Sequence, residues 1–225
     1  MPLIRISGRI LYFAHVPKCA GTALELFLES HIGPLAFRNS AFNRIPPEDR
    51  WTRSSPQHVD AASLALLFPP NFIDESFAVV RHPVDRIVSV FRFQRDIEGR
   101  IETDMPFGNW LDSVAKEDVQ GQWALDNHTR TMDAIVPEKA RIFRLENGLE
   151  PVVAWLQGIL GPDTQLPRTV PPRNVLSDRL AHEGRPDIPV RITPDIIDKI
   201  AAVYRADFDR FGYEPGQRLK EEPRA

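Results

Sequence analysis

Lys18 stands four residues ahead of Thr22 in Pro17-Lys18-Cys19-Ala20-Gly21-Thr22, and Arg81 stands eight residues ahead of Ser89. Cations, hydroxyls and a glycine at these spacings are what an anion site requires. Ahead of the first group, Arg9-Ile10-Leu11-Tyr12-Phe13-Ala14 reads as a strand. Behind it, Thr22–Glu29 carries leucines and a phenylalanine at helical spacing. A strand–turn–helix of this kind aims the free N–H groups of the first helical turn at one spot, which attracts phosphate or sulfate. Gly21 lets the backbone approach the anion, Thr22 donates a hydroxyl and Lys18 adds a full charge.

The second group has the same plan. Phe77-Ala78-Val79-Val80 is a short apolar run fit for a buried strand. It ends in Arg81-His82-Pro83, with Pro83 suited to a first helical position. Val84, Ile87, Val88 and Phe91 then make one apolar stripe and leave Asp85, Arg86 and Ser89 on another face. Arg81 and Ser89 can converge on one phosphate as fork plus hydroxyl. Taken alone, each stretch would also serve as an ordinary turn: Lys18 solvated, Arg81 in a strand-end ion pair, Ser89 a neutral surface serine. Neither is a Walker A loop, because no Gly-x-x-x-x-Gly-Lys-[Ser/Thr] occurs in the chain.

The elements that must position these residues alternate. The pattern predicts strand 9–16, helix 21–31, a long loop 33–57, helix 59–67, strand 76–81 and helix 83–97. Helices over 106–116 and 119–132, a strand at 140–145, a helix near 149–160 and an irregular stretch 161–190 follow. A last helix is capped by Thr193, opened by Pro194 and ended by Gly212, with Ile196, Ile200, Val203, Tyr204 and Phe211 facing inward. This order argues for an α/β fold, a parallel sheet flanked by helices. In such sheets ligands bind at the carboxyl ends of the strands, where both motifs fall. The two long irregular stretches hold Arg38, Arg44, Arg50, Arg53, Arg168 and Arg173, either as solvated charge or as the lining of a cleft for an anionic acceptor.

Composition sets the remaining bounds. A chain of 225 residues fills one core, so a single domain over 1–225 is expected, with its core at about 9–215. A net charge of −3 argues against broad attraction to nucleic acid, so basic residues must act locally. Cys19 is the sole cysteine, which excludes an intrachain disulfide; no thiol-protease signature surrounds it, and it reads as filling a tight position in the anion loop. The start Met-Pro-Leu-Ile-Arg-Ile-Ser-Gly lacks the pattern of a signal peptide, and no run reaches the roughly 18 apolar residues of a membrane span. A cytoplasmic, bacterial-type protein is the expectation.

Together the two motifs resemble the sulfotransferases that use 3′-phosphoadenosine-5′-phosphosulfate (PAPS). Pro17-Lys18-Cys19-Ala20-Gly21-Thr22 is similar to that superfamily's 5′-phosphosulfate loop, and Arg81 to Phe91 is similar to its 3′-phosphate motif. Ser55-Pro56-Gln57-His58-Val59 resembles the segment that carries the catalytic histidine in Golgi-type carbohydrate 2-O-sulfotransferases, and Asp126-Asn127-His128-Thr129-Arg130 resembles another segment of that group. Arg141–Glu146 and Tyr204–Tyr213 resemble its late strand and closing helix. Golgi members usually carry an N-terminal membrane anchor, a pattern this chain departs from.

The resemblance implies a P-loop-like sulfotransferase fold and transfer of a sulfuryl group from PAPS to an acceptor hydroxyl, leaving adenosine 3′,5′-bisphosphate, with no metal. Lys18 would stabilise the leaving oxygen. Pro17, Lys18, Cys19, Ala20, Gly21 and Thr22 would line the 5′-phosphate, and Arg81 and Ser89 would hold the 3′-phosphate. The acceptor would be a carbohydrate, a glycan or a glycolipid. Histidine's ordinary pKa suits proton abstraction at neutral pH. His58 is the first candidate base and His128 the second, as base or substrate contact; Arg130 and Arg53 are candidate substrate contacts. His15 reads as a packed or hydrogen-bonded core residue, and His82 as serving the phosphate site or its turn. No His/Cys/Asp/Glu cluster stands at metal-ligand spacing. A P-loop nucleotide kinase and a non-catalytic nucleotide-binding module are the alternatives.

Overall fold

The computed structural model describes residues 2–217. Four strands form one sheet in the order β1-β2-β3-β4, namely Leu3–Ile6, Arg9–Ala14, Glu75–Val80 and Arg141–Arg144. β2, β3 and β4 run parallel, as the alternation of elements requires. β1 is an addition to the expected set. It pairs antiparallel with β2 through a tight turn at Ser7 and Gly8, both at positive φ, the geometry of a two-residue hairpin. Four residues are too few for periodicity to announce such a strand.

The helices flank this sheet. They are α1 (Gly21–His31), α2 (Ala61–Leu67), α3 (Pro83–Asp96), α4 (Phe107–Val114), α5 (Val119–Ala124), α6 (Met132–Ile135), α7 (Glu150–Leu160), α8 (Leu176–His182), α9 (Pro194–Val203) and α10 (Arg205–Phe211). Among the described residues no helix is long and apolar enough to cross a membrane. The sheet's centre is apolar on both faces. Tyr12, Phe13, Ala14, Phe77, Ala78, Val79 and Val80 are all buried, and the register that pairs Phe13 with Phe77 stacks their rings 4.8 Å apart.

Several expected boundaries shift for visible reasons. The long loop 33–57 contains 3₁₀ turns at Phe42–Arg44, Pro47–Asp49 and Pro56–His58, and the next helix starts only at Ala61, where Asp60 caps it by accepting from Ser63 N–H at 3.0 Å. The expected helix 119–132 stops at Ala124, because Asp126 and Asn127 both take the left-handed conformation. Asp and Asn tolerate that conformation better than most residues. The irregular stretch 161–190 contains α8. The last helix breaks at Tyr204, a buried residue whose hydroxyl donates to Thr129 O at 2.8 Å, and Thr193 makes no side-chain cap. Of the expected inner face, Ile200, Tyr204 and Phe211 are buried and Ile196 and Val203 half-buried.

The largest correction concerns Arg86, which the apolar stripe of α3 seemed to leave outside. It is fully buried, at 0% exposure. Its guanidinium donates to His128 O at 3.1 Å and Arg130 O at 2.8 Å, lies 3.8 Å from Asp207 Oδ2, and faces the Tyr204 ring at 5.2 Å. Asp207 in turn accepts from the N–H groups of Met132 and Asp133, at 3.0 and 2.8 Å. Arg86 thus joins α3, the chain that enters α6, and α10. Arg86→Ala would leave a buried carboxylate without its cation and two carbonyls without their donor. We expect it to lower unfolding stability by about 3–5 kcal/mol in urea titration at pH 7, the cost of breaking a buried pair.

Candidate active site

Both anion motifs lie at the carboxyl ends of neighbouring parallel strands, residues 15–22 after β2 and Arg81 after β3. The first turn is held open by two left-handed residues, Lys18 at φ +67° and Ala20 at φ +61°. Ala20 precedes α1 and gives it no side-chain cap, and no acidic residue occupies its first turn. The free N–H groups of that helix start therefore keep their capacity for an outside anion. Pro17 is buried and Thr22 half-buried. Cys19 is buried, its Sγ 3.7 Å from Pro17 O; burial pushes its thiol up to about 12, so it packs as a neutral group.

Lys18 rests its ammonium 4.0 Å from the centre of the Phe93 ring. Burial first, and then the charge of Arg81, lower it to about 8. Arg81 itself makes no hydrogen bond or ion pair among the described residues. Among the described residues the two cations therefore stand near each other across a half-buried turn without an ion-pair partner. Ser89 is half-buried on the second turn of α3. His82 points away, packed between Phe208 and Tyr213, with Nε2 at 3.0 Å from Glu214 O. Its own N–H donates to Glu146 at 2.6 Å, so it serves the turn.

His15 continues from β2 into the interior, where Nδ1 meets Glu25 Oε1 at 2.6 Å. Burial holds His15 below its ordinary value against that hydrogen bond. Glu25 is held below the usual carboxylate range despite its own burial, by His15 first. Arg38 grips Glu25 at 3.2 Å and Glu29 at 2.8 Å, which removes it from any acceptor cleft. His15 also accounts for Gly21. A Cβ there would fall 1.9 Å from His15 Nε2.

His58 ends the Pro56–His58 turn with its side chain 12% exposed. Its Nδ1 lies 2.9 Å from Asp126 Oδ2, and its ring packs edge-on to His15 at 4.7 Å and tilted against His128 at 5.2 Å. The fold therefore joins the two segments 55–59 and 126–130. His128 is buried, and burial followed by the charge of His58 pushes it well below its ordinary value; its Nδ1 has no partner. A neutral, enclosed ring against Phe93 at 5.4 Å is a poor proton acceptor and a good wall. Arg130 is turned inward, 3.4 Å from Asp60 and 3.5 Å from Asn127 Oδ1. Arg53 stays exposed and stacks on Trp123 at 4.4 Å. Arg50 donates to Ile45 O, and Arg44, Arg168 and Arg173 are surface residues.

Asp126 was the residue without an assigned role in the sequence. Its signal was present in the αL-tolerant pair Asp-Asn just before a histidine, but only the fold brings it to residue 58. The same closure makes His58, Asp126 and His128 offer ligand atoms within 4.8 Å of one another, a grouping that sequence spacing conceals. These three would reach a common cation. The His58–Asp126 hydrogen bond already satisfies two of them.

The family model described as Sulfotransferase family matches residues 7–214. No curated protein matches the chain, and no solved structure does.

Packing at the turn carries its own test. Gly21→Ala would have to expel the pinned His15 ring, and overpacking of this kind costs about 1–3 kcal/mol. We expect a matching loss of stability in denaturant titration, together with a displaced His15 imidazole resonance.

Proposed function

Since the chain belongs to the sulfotransferase family, we propose that it is a single-domain enzyme that moves the sulfuryl group of PAPS to a hydroxyl of a carbohydrate acceptor, a glycan or glycolipid. The observation that carries this reading is the pair of cations, Lys18 and Arg81, without an ion-pair partner among the described residues, on adjacent strand ends and joined through Phe93 and His128 to the hydrogen-bonded imidazole of His58. The helix start at Gly21 and Thr22 takes the 5′-phosphate, with Pro17, Cys19 and Ala20 shaping the turn. Arg81 and Ser89 take the 3′-phosphate and so fix the register of the donor. The likeness of segments 55–59 and 126–130 to carbohydrate 2-O-sulfotransferases supports a sugar hydroxyl, and Arg53, exposed and just ahead of segment 55–59, is the basic group proposed to meet it.

The chemistry follows from charge. The acceptor oxygen forms a bond to sulfur as the bond from sulfur to the 5′-phosphate oxygen breaks. His58 takes the proton of the acceptor hydroxyl. Lys18 faces the negative charge that collects on the departing oxygen, where a fixed cation in a half-buried site acts strongly. His128 walls the site without taking the proton. Nothing in these steps requires a metal ion. The absence of a Walker A sequence weighs against nucleotide-kinase chemistry, and the presence of both Lys18 and His58 weighs against a module that only binds. An acceptor array with labelled PAPS tests the substrate class; magnesium-dependent ATP turnover in its place would overturn the reading.

Calorimetry with adenosine 3′,5′-bisphosphate isolates the donor site. Arg81→Ala should weaken binding by about 1.5–3 kcal/mol, the worth of a charged hydrogen bond. Affinity should also fall as pH rises through about 8, where the free enzyme's Lys18 loses its proton and binding must take one up. Equal affinity for 5′-AMP, which lacks the 3′-phosphate, would contradict the assignment.

The base is tested separately. His58→Ala should lower kcat by roughly 10²–10⁴-fold, remove the acid limb of the pH–rate profile, and leave bisphosphate affinity unchanged. Retained turnover in His58→Ala, with the limb lost instead in His128→Ala, would move the base to residue 128.

A further inference from the structure

We propose that Asp126 is a positioning residue that holds the His58 ring in one orientation and one tautomer, with the proton on Nδ1 and the free lone pair on Nε2. This rests on the reading of His58 as the base.

The geometry comes from one turn. Asp126 and Asn127, at φ +54° and +58°, throw adjacent side chains toward residues 54–58. Asp126 Oδ1 accepts from Ser55 N–H at 2.5 Å, and Oδ2 faces His58 Nδ1 at 2.9 Å. Asn127 Nδ2 donates to His58 O at 2.7 Å and to Ser54 Oγ at 3.2 Å. The first residue fixes the ring and the second fixes the backbone that carries it. The N–H of Ser55 can only donate, so it claims one carboxylate oxygen whatever the pH. A carboxylate is an acceptor at both oxygens, so the group opposite the other oxygen must also be a donor. In a neutral imidazole that places the proton on Nδ1 and leaves Nε2 as the acceptor, the atom a base needs. Nε2 makes no hydrogen bond among the described residues.

The carboxylate form is secure. Burial pushes Asp126 up, but His58, by charge when protonated and by its hydrogen bond, and the Ser55 N–H hold it well below the usual carboxylate range. The other groups that act on His58 do not compete for Nδ1. His15 meets it edge-on, its Nδ1 taken by Glu25. His128 meets it ring to ring, with its main-chain O taken by Arg86. Glu25 and Glu98 act on His58 through charge alone.

Asp126→Asn is the decisive variant, since asparagine keeps the shape and tolerates the left-handed backbone. Its one carbonyl oxygen must face Ser55 N–H, so its NH₂ faces His58 Nδ1. Two donors cannot meet, and the ring must move its proton to Nε2, where it can no longer act as a base. The readouts are the ¹⁵N shifts of the His58 ring and the kcat of transfer from PAPS. We expect an Nδ1–H ring in the unaltered protein and an Nε2–H ring in Asp126→Asn, with kcat lower by about 10²–10⁴-fold and adenosine 3′,5′-bisphosphate affinity unchanged.

Asp126→Asn with normal kcat and an Nδ1–H ring would overturn the proposal. So would an Nε2–H ring in the unaltered protein, a measurement that stands even if the variant does not fold. Full turnover in His58→Ala would instead overturn the base assignment, whatever Asp126→Asn does.

Discussion

The imidazole side of the site hangs on one buried guanidinium. Arg86 leaves α3 two turns before Gln94 and ends against the carbonyls of His128 and Arg130. Those carbonyls belong to the same short segment that supplies Asp126 to His58. The helix that carries Ser89 and Pro83 is thereby fastened to the segment that holds the imidazole. A buried charge is costly unless every direction around it is answered. Here it meets two carbonyl dipoles, the Asp207 carboxylate and the Tyr204 ring, and only Nε is left without a partner. The same Asp207 fixes the start of α6 through Met132 and Asp133, so the constraint reaches α10 as well. A geometry this over-determined lets α3 and the segment that faces His58, on distant stretches of chain, keep a fixed separation.

The anion turns work by the opposite device. Among the described residues neither Lys18 nor Arg81 has a carboxylate within ion-pair distance, and the charge of Arg81 raises the cost of the charge on Lys18. The cation–π contact with Phe93 holds the ammonium in place without neutralising it. A carboxylate partner for Lys18 would raise its proton affinity and weaken its pull on a phosphate; Glu98 offers such a pull only as a minor contribution against burial and Arg81. On the proposed reading, the electrostatic strain of this pair is what a bound polyanion would relieve.

The parallel strands, the two strand-to-helix turns and most helices were legible because they rest on local signals. Strand-to-helix switches in hydrophobic period, a proline at Pro83, and Gly21 after Lys18 are each visible within a dozen residues. Arg86 was not legible. Its neighbours in sequence, Asp85 and Ser89, made it look like part of a polar face, and only Tyr204 and Asp207, more than a hundred residues away, turn that face inward. Asp126 was hidden in the same way, 68 residues from its partner. The break at Tyr204 shows a tertiary hydrogen bond overriding helical propensity. Arg38 and Arg130, both plausible acceptor contacts by composition, are committed to carboxylates that the sequence could not pair with them.

The rings explain why the site stays aligned. Phe77 stacks on Phe13 at 4.8 Å, Phe13 on His15 at 5.6 Å, and His15 meets His58 at 4.7 Å. His58 meets His128 at 5.2 Å, His128 meets Phe93 at 5.4 Å, and Lys18 sits on Phe93. One unbroken column thus runs from the centre of the sheet to the charged end of the anion loop. Aromatic contacts alone fix spacing but leave each ring free to rotate in its plane. Glu25 locks His15 and Asp126 locks His58, so these two of the three imidazoles in the column each have one permitted orientation. His58 and Lys18, both on turns, are thus linked at a fixed spacing through the rings of His128 and Phe93. For a transfer in which one group takes a proton while the other faces the departing charge, that fixed distance is what positioning can contribute.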